Sequence, residues 1–78
     1  MTIYEISLLH SNIFETLYVT EETCALENEL RIRNFPVHLL EYVTAAFTEL
    51  RRSDSNQKSI STPDGDIVLY MAKHTLYT

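Results

Sequence analysis

Apolar side chains recur along this chain with two spacings, and each spacing predicts its own elements. The clearest is helical. From 36 to 52, Pro36, Leu39, Leu40, Tyr42, Val43, Ala46, Phe47 and Leu50 project within one arc of about 160° at 100° per residue, while Glu41, Thr44, Thr48, Glu49, Arg51 and Arg52 fall outside it. Pro36 suits a first helical turn, where its missing N–H has no intrahelical partner, and Asn34 just upstream is the expected cap. Arg51 and Arg52 fall at the negative end of the helix dipole, and Ser53-Asp54-Ser55-Asn56 supplies a polar stop. A favourable helix terminus is a sufficient account of those two arginines.

Elsewhere the spacing is that of strands. Thr62-Pro63-Asp64-Gly65 reads as a hairpin turn, with Pro63 presetting φ and Gly65 free to take a positive φ. Its arms are Lys58–Ser61 and Asp66–Ala72; in the second, Ile67, Leu69 and Met71 point to one face and Val68 and Tyr70 to the other. A strand apolar on both sides is either covered twice or left with one face for a partner. Thr2–Leu9, with Ile3, Tyr4, Ile6 and Leu8, reads as a strand, His10-Ser11-Asn12 turns the chain, and Ile13–Val19 returns as a second strand, with a short helix as the alternative.

The segment between these parts is the hardest to read. Thr20 followed by Glu21-Glu22-Thr23 predicts a capped helix running to about Arg33, yet its apolar face is ragged and Glu29-Leu30-Arg31-Ile32-Arg33 alternates like a strand. The order expected is therefore β-β-α-α-β-β, a single α+β domain over residues 1–78 in which one antiparallel sheet carries the 36–52 helix on a face. Strand order stays open.

Size and charge limit what such a domain can do. A chain of 78 residues buries roughly 60–65% of its unfolded surface, too little for a deep catalytic cleft, so an enzyme is not expected. Residues 1–30 carry Glu5, Glu15, Glu21, Glu22, Glu27 and Glu29 without one base, whereas all six Lys and Arg follow, among five acids. A net charge of −5 opposes non-specific nucleic-acid binding and favours a basic partner. The lone Cys24 forms no internal disulfide, and Met1-Thr2-Ile3-Tyr4-Glu5 lacks the basic start of a signal peptide, so a cytoplasmic, non-membrane protein is expected.

Motif chemistry is sparse. His10, His38, His74 and Cys24 do not follow zinc-ligand spacing, so no metal or other cofactor is expected. Asp64-Gly65-Asp66 runs straight into Ile67-Val68-Leu69-Tyr70 and no acid closes a calcium loop. Of the five tyrosines, Tyr4 and Tyr42 fit core positions, while Tyr18, Tyr70 and Tyr77 fit an interface.

These observations lead to a small regulator or inhibitor that presents Glu15, Glu21, Glu22, Glu27 and Glu29, with Tyr18, to a basic partner protein, nucleic-acid-binding proteins being one class of such partner. Small acidic proteins of mobile elements are of this type. The alternative is a nucleic-acid-binding regulator using Arg31, Arg33, Arg51, Arg52 and Lys58, which requires those bases to share a face. A two-fold homodimer is expected as well, with Val68, Tyr70, Leu76 and Tyr77 in its interface.

Overall fold

In a computed structural model, which describes residues 2–20 and 25–75, the chain is two hairpins joined by two helices. Strand β1 (Thr2–His10) turns through Ser11 and Asn12 into β2 (Ile13–Thr20), helix α1 (Ala25–Ile32) and helix α2 (Leu40–Arg52) follow, and β3 (Gln57–Thr62) returns through Pro63 and Asp64 into β4 (Gly65–Thr75). All pairings are antiparallel and the sheet order is β2-β1-β4-β3. The first and last strands therefore meet in the middle, from Thr2 opposite Thr75 to His10 opposite Ile67. This is the two-layer α+β domain that the apolar spacing predicts.

Both helices cover the same side of the sheet. Tyr4, Ile6 and Leu8 of β1, Leu17 and Val19 of β2, and Ile67, Leu69 and Met71 of β4 are buried beneath Leu26 and Leu30 of α1 and Leu40, Val43, Ala46, Phe47 and Leu50 of α2. One contiguous core results. The ragged 25–32 segment is a helix because Leu26 and Leu30, one turn apart, suffice to anchor it, while Ile32 is left exposed.

The junction between the helices departs from the sequence expectation. Asn34 does not cap α2; with φ +61° it ends α1. Its N–H donates to the Arg31 carbonyl (3.1 Å) and that of Phe35 to the Leu30 carbonyl (2.9 Å), the paired bonds of a Schellman motif, and Phe35 is buried as that motif favours. Pro36 is extended (φ −53°, ψ 121°), so it precedes the helix rather than forming its first turn, and Val37–Leu39 make a 3-10 turn before α2 begins at Leu40. Thr20 is the last residue of β2, paired with Ile3. The capping sequence after it, Glu21-Glu22-Thr23, lies outside the described residues.

The second hairpin follows its turn chemistry. Gly65 has φ +113°, and the Thr62 hydroxyl donates to the Gly65 carbonyl (2.6 Å) while accepting the Asp64 N–H (3.2 Å). His38 of the 3-10 turn pairs with Asp64, tying the start of α2 to this turn. No helix among the described residues is long and apolar enough to cross a membrane.

Candidate functional site

Glu15, Glu27 and Glu29 do not form a bare acidic surface, because arginines fold among them. Arg31 binds Glu27 at 2.7 Å one turn back on α1. Arg33 reaches across to Glu15 of β2 at 2.8 Å and lies 4.0 Å from Glu29. The charge that is polarised along the sequence is thus partly neutralised in space. Glu21 and Glu22 lie outside the described residues, as does Cys24.

Tyr18 is not part of this cluster. Strand alternation sends Leu17 and Val19 into the core and Tyr18 to the opposite side of the sheet, 62% exposed. The register there builds a continuous surface across strands: Phe14 of β2 lies opposite Leu9 of β1, Leu9 opposite Val68 of β4, and Tyr70 opposite Ser7. Phe14 is 64%, Tyr70 44% and Leu9 41% exposed, a concentration of large apolar side chains that no described element covers. Val68 and Tyr70, singled out from the sequence, lie in the middle of it; Leu76 and Tyr77 lie outside the described residues.

The polar groups on this open face are carboxylates, hydroxyls, one amide and one imidazole. Outward alternation places Glu5, Ser7 and Thr16, Gln57, Ser59 and Ser61, and Asp66 and His74 there, and neither a Lys nor an Arg. His74 Nε2 lies 2.9 Å from Glu5 Oε1, and the Ser7 and Thr16 hydroxyls are 3.4 Å apart. Leu9, Phe14 and Glu5 were missed from the sequence as surface residues. The signal was present, since assigning Tyr4, Ile6 and Leu8 to the core sends Glu5, Ser7 and Leu9 outward by alternation alone.

Of the five bases considered for nucleic acid, three hold carboxylates. Arg31 and Arg33 are engaged on α1 as described, and Lys58, on the helix side of β3, binds Glu49 of α2 at 2.6 Å. Arg51 packs over the rings of Tyr4 (5.7 Å) and Phe47 (5.5 Å), beside Arg52 at the end of α2.

The histidines are equally dispersed. His10 is buried at the far end of β1, with its ring 6.4 Å from that of Phe35 and Nδ1 3.4 Å from the Asp66 carbonyl, whereas His38 and His74 lie at the surface on opposite layers. Among the described residues no three His, Cys, Asp or Glu side chains cluster as metal ligands would. No protein-family model matches the chain, and no match is found among curated proteins or solved structures.

Proposed function

We propose that this protein is a small, non-catalytic binding module, a cytoplasmic regulator or inhibitor, whose open sheet face receives a basic protein partner. The observation that carries this reading is the make-up of that face. Leu9, Phe14, Tyr18, Val68 and Tyr70 supply apolar and aromatic contact area, Glu5 and Asp66 supply negative charge, and no Lys or Arg opposes a cationic surface. Four strands of nine, eight, six and eleven residues, spaced ~4.8 Å apart at ~3.4 Å per residue, give a flat footprint of roughly 550 Å². Side-chain relief raises that toward the ~800 Å² per partner of a standard interface.

The second reading places another copy of the chain on the same face, because Val68 and Tyr70 make the central strand β4 apolar on its uncovered side. Charge favours the basic partner, since two copies would bring Glu5 and Asp66 of each against surfaces lacking a Lys or Arg. The test compares wild type with the Phe14→Ser/Tyr18→Ser variant as bait in nuclease-treated lysate. The reading expects a basic protein that is retained by wild type, eluted by salt and lost with the variant. Retention that is unchanged in the variant removes the open face as the contact surface.

A further inference from the structure

The six lysines and arginines divide into two groups of three. Arg31, Arg33 and Lys58 each hold a carboxylate. Arg51, Arg52 and Lys73 have no carboxylate partner among the described residues, and these three line a single cleft with Tyr4 and Thr48. The cleft has a volume of about 350 Å³ and lies on the helix side of the sheet, away from the open face.

Two elements build it. Lys73 lies directly opposite Tyr4 in the β1–β4 pairing, and its ammonium stands 5.8 Å from the Tyr4 ring centroid. Arg51 comes down from the last turn of α2 to the same ring at 5.7 Å. The helix dipole accounts for Arg51 and Arg52; it does not account for a third cation delivered by a strand. In a protein of net charge −5 with eleven acids, three cations sharing a cleft with no carboxylate among the described residues repel one another, and a bound anion relieves that repulsion.

We infer that this cleft is an anion-binding site for the phosphate end of a small phosphorylated ligand. Two guanidinium forks match the tetrahedral oxygens of a phosphate and the Lys73 ammonium adds a point charge. The Tyr4 ring is already engaged, edge-to-face with Phe47 (5.3 Å, 87°) and with Arg51 and Lys73 against it, so it is not free to stack a nucleobase. The phosphate is therefore the recognised group, whichever molecule carries it.

The test is an amide NMR titration of the full chain at low ionic strength with inorganic phosphate, inorganic diphosphate, a nucleoside diphosphate and a single-stranded oligonucleotide. Saturable shifts at Thr48, Arg51, Arg52 and Lys73 with diphosphate are expected, with the nucleoside diphosphate binding comparably. The Arg52→Gln/Lys73→Gln variant, altered at two exposed positions, should keep the wild-type melting transition and bind diphosphate at least about tenfold more weakly, as loss of two charge-assisted contacts implies. Lys58→Gln, altered outside the cleft, should bind as wild type does. The inference is overturned by absence of saturable shifts, by equal weakening in Lys58→Gln, or by a double variant that binds normally. Tighter binding of the oligonucleotide than of diphosphate would replace the small ligand with a nucleic-acid backbone.

Discussion

Tyr4 and Lys73 face each other across the two central strands on the helix-covered side, the phenol ring buried and the ammonium 5.8 Å from its centroid. They are unequal partners in stability. Tyr4 packs its ring edge-to-face on Phe47 and is 4% exposed, so Tyr4→Ala should cost about 3–5 kcal/mol in chemical denaturation, as large aromatic truncations do. Lys73→Gln, at an exposed position, should stay within about 1 kcal/mol of wild type. A comparable loss from both would mean that Lys73 supports the core and not the cleft.

Leu39 and Phe47 test the helix side of the core in the same way. Both are buried, and Leu39→Ala or Phe47→Ala should lower stability by about 2–5 kcal/mol, a large part of what a domain of this size possesses. An unchanged denaturation midpoint in either variant would contradict the packing of α2 on the sheet.

At the helix junction the sign of the effect depends on backbone conformation alone. Asn34, at φ +61°, should accept Gly with no loss or a small gain, while Asn34→Val should cost about 1–2 kcal/mol from the left-handed conformation imposed on a β-branched residue. Thermal melts of the two variants separate this role from that of a helix N-cap, at which Gly would cost a few tenths of a kcal/mol.

The two occupants proposed for the open face give different masses in solution. With a basic partner as occupant, the isolated chain should run as a monomer near 9.1 kDa in light scattering coupled to size exclusion. Twice that mass, returned to the monomer value by Tyr70→Glu through burial of an unpaired charge, assigns the face to a second copy.

Charge on the two sides of the molecule should also separate. Glu5→Lys places a base on the open face and should slow association with the basic partner, most at low salt, where screening is weakest. Glu27→Gln removes only an exposed pair with Arg31 on α1, so stability should change by less than about 1 kcal/mol and association should be unaffected. Surface plasmon resonance at two ionic strengths reads both effects; a slower association in Glu27→Gln would return the contact to the acidic segment of residues 15–29.

The element order, the hairpin turn with its positive-φ Gly65, and the buried stripe of α2 were legible in the sequence, because each depends on local spacing along the chain. The sequence also determined that Val68 and Tyr70 point away from Ile67 and Leu69, since alternation along one strand needs no partner. Asn34 was legible as a helix signal but not as a C-terminal one, because asparagine serves at both ends and only its backbone angle distinguishes them. Tertiary structure alone decided which side α1 would cover, that Arg33 would meet Glu15 across eighteen positions, and that Lys73 would join Arg51 over Tyr4. The last of these rests on the pairing of the first strand with the last. A contact between positions 4 and 73 has no local periodicity to announce it, and it forms only when the whole sheet closes.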